Sequence, residues 1–319
     1  MKKLFKTLFM SLALLAGSLS FTACNSNKKT IGIIQFGTHE SLNDCYNGMV
    51  EGLKEELKEE FDNYVIDRQN SNFDAASSAA QANTFVSKRV DIIGAIATPS
   101  AMAAASAAKG TIPVVYCAVS DPTSAGLTTM DNVTGSSDLL DFDGQLSLIK
   151  TFIPAVAKIG VLYTLSEANS LSQIETLRTK AQALNIEIVT QAITNASEIP
   201  TATDTLLSKN VDCLTNLTDN TVVGALDIIL AKTNAKKIPV FGSEIDQVKS
   251  GCLASASLDY VALGQKTGAI MAKILKGEAK ASNDISIKIE DSFNCYSEKV
   301  ANDLCITLPE VKDMKNVDK

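Results

Sequence analysis

The residues with the most chemistry to offer fall at turns that recur along this chain. Val90 opens the run VDIIGAIATPSA and Val211 opens VDCLTNLTDNTV, with Thr98 and Asp219 each eight residues further on. IPVVYCAVSDP and IPVFGSEID close the two stretches. Each stretch reads as strand, polar turn, helix, strand, polar turn. In the first copy the turns carry Thr98, Ser100, Ser120 and Asp121; in the second they carry Asp219, Asn220 and Glu244. Turns that follow the strands of a parallel sheet emerge at its carboxyl edge, beside helix starts that favour anions. Two such edges facing each other make a cleft with mostly hydroxyls on one wall and mostly carboxylates on the other, an arrangement that suits a zwitterion.

A buried ammonium requires a carboxylate and a buried carboxylate requires donors, because unpaired charge in a closed cleft costs several kcal/mol. Asp219 is the first candidate for the ammonium, with Glu244 and Asp121 behind it; each equally suits a helix cap or a turn. On this reading Asp219→Ala removes binding and leaves stability nearly unchanged. Thr98 and Ser100 are the candidates for a ligand carboxylate, against ordinary capping around Pro99. Asn169 and Ser170 follow a strand at 157–163 and reach toward the ligand or simply start a helix. Phe36, Tyr116, Tyr163 and Tyr260 lie at or near strand ends, as pocket wall or as core. His39, in the turn GTHE at the same sheet edge, is placed to stack or to hydrogen-bond.

The elements that position these residues form an α/β chain of two doubly wound parallel-sheet domains joined by hinge crossovers. A strand at 30–36, an amphipathic helix at 41–60 and further strands at 64–67, 90–97 and 113–119 build the first domain, and strands at 157–163, 187–191, 211–217 and 238–241 build the second. The expected limits are 30–135 plus 252–290 for the N-terminal lobe and 136–251 for the C-terminal lobe. Residues 291–319 form a C-terminal extension that offers a third crossover.

Composition excludes several classes. The net charge is −7, with no Lys/Arg block beyond the N-terminus, which argues against a nucleic-acid surface. One histidine and no close cysteine pair leave no zinc site, and no metal or cofactor is expected. A carboxylate-based hydrolase is the catalytic alternative, but it would rest on acids at turns alone, without tryptophan for sugar stacking or a nucleophile elbow. At the N-terminus, Lys2, Lys3 and Lys6 precede an uncharged, centrally apolar stretch at 7–23, the layout of an export signal.

Phe21-Thr22-Ala23-Cys24 resembles the lipobox of bacterial lipoproteins, with Phe21 where that pattern prefers Leu. The resemblance implies a signal peptide at 1–23, lipidation of Cys24, a tether at 24–29 and anchoring outside the cytoplasm. The chain further resembles the extracytoplasmic solute-binding proteins of ABC importers, in their tryptophan/tyrosine-type group. The likeness is carried by IGIIQFGTHESLNDCYNGMVEGLKEE, NVTGSSD, KIGVLYTLSEANS, TDNTV, IPVFGSE and LDYVALGQKTGAIMAKILKGE together with the two opening stretches. Glu40 stands where the family has Pro after the histidine. What the resemblance implies is a type I periplasmic binding protein fold that closes on an aromatic amino acid. It also implies a non-enzymatic, monomeric receptor serving a permease and its separate ATPase subunit. The same fold accommodates another small solute or a signalling partner.

Overall fold

A computed structural model describes residues 28–282, 286–288 and 292–319. The expected signal peptide, Cys24 and the tether as far as residue 27 lie outside the described residues, as do residues 289–291 at the expected lobe boundary.

Strand and helix alternate from the start: β1 (Lys29–Gln35), α1 (Glu40–Leu57), β2 (Tyr64–Asn70), α2 (Ala75–Lys88), β3 (Ile92–Ile96), α3 (Thr98–Ala108), β4 (Val114–Cys117) and β5 (Val133–Ser137). A second series follows with α4 (Phe142–Phe152), β6 (Lys158–Thr164), α5 (Ala168–Ala183), β7 (Glu187–Ile193), α6 (Ile199–Leu207) and β8 (Cys213–Thr215). It continues through α7 (Asn220–Val223), α8 (Leu226–Ala235), β9 (Val240–Phe241), α9 (Ile245–Lys249) and β10 (Ala254–Ser257). The remainder holds α10 (Tyr260–Leu275), β11 (Ile287–Lys288), β12 (Phe293–Tyr296), α11 (Glu298–Leu304) and β13 (Lys315–Asn316).

Two sheets result, ordered β11-β5-β4-β3-β1-β2 and β13-β12-β10-β9-β8-β6-β7. All pairings are parallel except that of β10 with β12. Strands such as β3 and β4 are buried along their whole length, as expected of a sheet covered by helices on both faces. The strand order reverses between β1 and β3 in one sheet and between β6 and β8 in the other, and a crevice opens at such switch points.

The lobe limits differ from the sequence expectation. β10, assigned from sequence to the N-terminal lobe, pairs with β9 and β12 in the second sheet, so the chain crosses after Ser257 and not near residue 251. Residues 292–319 are no mere extension: β12 and β13 form the edge of that same sheet, and Tyr296 and Ala301 join its core. The strand ASAS is small and buried on both faces, so its composition suits either sheet equally well.

α10 returns to the first lobe and lies against α1 at very short range. A Cβ at Gly48 would stand 2.1 Å from the Val261 carbonyl oxygen, one at Gly52 2.1 Å from that of Gln265, and one at Gly268 2.2 Å from that of Met49. Only glycine permits this backbone approach. The contact fixes the two helix starts, where His39, Ser41 and Tyr260 lie, relative to each other.

Candidate functional site

Between the lobes lies a small cavity. Its first wall comes from the start of α1 (His39, Ser41, Leu42), the turn after β4 (Ala118) and the two crossings (Asp138, Tyr260). The second wall comes from Asn169, Thr218, Asn220, Val223, Ser243, Glu244 and Gln247. Each of these residues follows the carboxyl end of a strand, as the sheet geometry requires.

Two carboxyls line the cavity, and no lysine or arginine does so among the described residues. Asp138 accepts hydrogen bonds from the Ser120 hydroxyl at 2.9 Å and the Tyr260 hydroxyl at 2.9 Å. Burial raises its pKa against those two donors. Glu244 caps α9, accepting from the N–H groups of Asp246 at 2.6 Å and Gln247 at 2.9 Å. Burial, then the nearby Asp246 charge, pushes its carboxyl up to about 7. Both acids therefore lack a cationic partner that would offset their desolvation.

Beside Glu244, with which the Ser41 side chain hydrogen-bonds, α1 presents an uncapped start. His39 occupies the N-cap position without a side-chain cap bond, and among the described residues the N–H groups of Ser41 and Leu42 have no acceptor. An 18-residue helix whose first N–H groups are free favours an anion there. The His39 ring stacks on Phe73 at 6.4 Å, and its Nε2 lies 3.4 Å from Asn220 Oδ1 of the other lobe. Burial lowers its pKa to about 4, so the ring is neutral. Among the described residues, two buried polar atoms at the cavity, His39 Nδ1 and Asn169 Oδ1, have no hydrogen-bond partner.

The structure brings His39, Asn169, Asn220, Glu244 and Tyr260 together at the cavity and places the other candidates elsewhere. Asp219 is fully buried behind the wall, where it accepts from the Thr164 N–H at 2.6 Å, the Thr164 hydroxyl at 2.8 Å, the Ser170 hydroxyl at 2.7 Å and the Val222 N–H at 2.9 Å. Its oxygens, and the Ser170 hydroxyl, are thus committed within one lobe. Thr98 is buried at the start of α3, and Ser100 Oγ sits 3.4 Å from Ser78 Oγ. Asp121 accepts from Ser124 and, across the cleft, from the Ser172 hydroxyl at 2.6 Å. Phe36 and Tyr116 belong to two core clusters of the first lobe, and Tyr163 packs against the core of the second. Sequence reasoning missed Asp138, Ser41, Leu42 and Gln247; the one available signal for Asp138 was its position directly after a strand, in NVTGSSD.

The lobes are in contact. Besides the His39–Asn220 and Asp121–Ser172 contacts, the Ser120 and Thr218 hydroxyls meet at 2.8 Å, and the Phe73 ring lies where a Cβ on Gly224 would stand, 2.8 Å away.

The description "ABC transporter substrate binding protein" fits residues 30–313, nearly the whole of the described chain. The chain belongs to that family. A relative from Clostridioides difficile (strain R20291), named tyrosine-binding protein, is 39% identical over 281 residues, covering 84% of this chain and 80% of its own. An ABC domain from Streptococcus pneumonia in complex with L-Trp superposes with a TM-score of 0.84 at 33% identity, over 89% of this chain and 96% of that one. The ligand-free, open structure of a substrate-binding protein from Clostridium difficile reaches 0.66 at 34% identity, over 91% and 99%. At nearly equal identity and coverage, this substrate-binding protein matches the L-Trp complex better than the open form, in accord with its interlobe contacts. Its fold is the two-lobed α/β fold of type I binding proteins. Substrate-binding proteins of ABC transporters work outside the cytoplasm, and among the described residues no helix is long and apolar enough to cross a membrane.

Proposed function

We propose that the protein captures an aromatic amino acid in the interlobe cavity and delivers it, without turnover, to an ABC permease whose ATPase is a separate chain. One observation carries the choice of an amino acid: an interlobe cavity whose lining, among the described residues, holds two buried carboxyls and no lysine or arginine also takes in the uncapped start of a long helix. An ammonium answers the first feature and a carboxylate the second. In this reading Glu244, Asp138 and Asn169 receive the ammonium, while the N–H groups of Ser41 and Leu42 receive the carboxylate. The aromatic class is supported by the relative named for tyrosine and by the neighbour holding L-Trp. Leu42, Val223 and Tyr260 supply apolar wall for a ring. The protein is proposed to act as a monomer tethered by lipid on Cys24.

Titration calorimetry with L-tyrosine, L-tryptophan and L-phenylalanine tests the ligand class. Micromolar binding of at least one, with the compound recovered unchanged, is the expected result. Failure of all three while a sugar or an aliphatic amino acid binds would overturn the assignment. Metabolic labelling with palmitate, compared with a Cys24→Ala variant, tests the anchor.

A further inference from the structure

A carboxylate that does not line the cavity occupies its second layer. Glu167 is 1% exposed and accepts hydrogen bonds from five donors. They are the Asn220 N–H at 2.9 Å and Nδ2 at 2.6 Å, the Thr221 N–H at 2.9 Å and Oγ1 at 2.9 Å, and Asn169 Nδ2 at 3.4 Å. Asn169 Nδ2 also donates to the Thr218 carbonyl at 2.8 Å. Burial, then the nearby Asp219 charge, pushes its carboxyl up to about 8 against these donors; in the ionised form it accepts only, so the amide atoms beside it are the nitrogens. Glu167 thereby fixes the Asn220 amide with its oxygen turned away, while the Asn169 amide is held the same way by Glu167 and, at shorter range, by the Thr218 carbonyl. Asn169 Oδ1 is left buried and unpartnered at the cavity, and Asn220 Oδ1 faces His39 Nε2. With Nε2 as the donor, the neutral His39 ring keeps Nδ1 as an acceptor without a partner.

We propose that Glu167 is a positioning residue that sets the hydrogen-bond polarity of the cavity wall: it turns two asparagine amides oxygen-outward and so makes this wall an acceptor surface for the ligand's ammonium. The effect passes through Asn169 and Asn220; Glu167 itself does not touch the ligand. In Glu167→Gln the new amide brings a donor into the same place. Asn220 then gains by turning its oxygen inward to accept from it, which presents NH₂ to the cavity, whereas Asn169 stays held by the Thr218 carbonyl.

The proposal rests on an aromatic amino acid binding in this cavity, and L-tyrosine binding by the unaltered protein checks that premise separately. The decisive measurement compares L-tyrosine with 3-(4-hydroxyphenyl)propanoate, which lacks only the amino group, by competition calorimetry on the unaltered protein and on Glu167→Gln. Affinity for tyrosine is expected to fall about 10- to 100-fold, the range of a hydrogen bond to a charged group, while affinity for the desamino acid changes by less than about 3-fold. Equal losses for both ligands would reduce Glu167 to a structural part of the lobe and overturn the proposal, as would unchanged tyrosine binding. If Glu167→Gln does not fold, Asn220→Ala gives the second arm. It removes the acceptor through which Glu167 acts, so the tyrosine preference should shrink, and a preference retained in full would be equally fatal.

Discussion

Two helix starts face the same cavity and have opposite fates. At α7 the N–H groups of Asn220, Thr221 and Val222 are all taken, the first two by Glu167 and the third by Asp219. At α1 the N–H groups of Ser41 and Leu42 are free, because His39 stands where a Ser or Asp cap would otherwise sit and makes no cap bond. On the proposed reading, a helix start becomes a ligand site only when its own sequence declines to cap it. The contrast also explains why one wall gains acceptors: the acids that seal α7 draw amide donors toward themselves and leave oxygens facing outward.

The comparison is open to attack from both ends. The largest effect is expected for Asp219→Ala, which strands four donors behind the wall and should lower the unfolding free energy by at least about 3 kcal/mol. Chemical denaturation measures it. A variant as stable as the parent that had lost only ligand binding would return Asp219 to the role first read from sequence. At the free start, tyramine in place of tyrosine omits the carboxylate. Its affinity should fall at least about 100-fold, and near-equal affinities would remove α1 from the site.

A smaller effect concerns pH. The Glu244 carboxyl is raised to about 7, above its ordinary value of 4.5, so its contribution to the stability of the ligand-free form is present below the ordinary value and is lost as pH rises through the folded value. His39, lowered to about 4 from 6.5, acts in the opposite sense but only below its ordinary value. From pH 6.5 to about 8 the thermal midpoint should therefore fall, through Glu244 and through Glu167, whose carboxyl is raised to about 8, and Glu244→Gln should reduce the slope without abolishing it. A midpoint that rises over this window would contradict the account. The smallest effect is expected for Ser172→Ala, which removes the 2.6 Å bond to Asp121 across the cleft. Ligand release measured by stopped flow should accelerate by a few-fold, about the worth of one partly exposed hydrogen bond.

The alternation of strand and helix was legible because apolar runs such as IGIIQ and VDIIGAI are bounded by turn residues, and both turn out to be buried strands. The sheet-edge argument led to Glu244, Asn220, Asn169 and His39 because every turn after a parallel strand must emerge on one side. It led equally to Asp219 and Thr98, which lie off the cavity lining: an acid that caps a helix and one that binds a ligand occupy the same place in sequence, and only the count of donors around each oxygen separates them. Asp138 escaped notice because a crossing segment has no periodicity to mark it. Glu167 escaped because one acid before a helix looks like any other until Asn220 and Thr221 fold against it.

The glycine contact between α1 and α10 has a consequence for how much error the site tolerates. Ser41 is seven residues before Gly48, about 10 Å along the axis at 1.5 Å per residue, and Tyr260 is eight before Gly268, about 12 Å. Helices in backbone contact have almost no side-chain cushion, so a single added methyl must be absorbed by sliding or tilting whole rods. Such a shift would misalign the N–H groups of one rod against the phenol of the other, and the damage would register as lost selectivity among ligands well away from the altered atom.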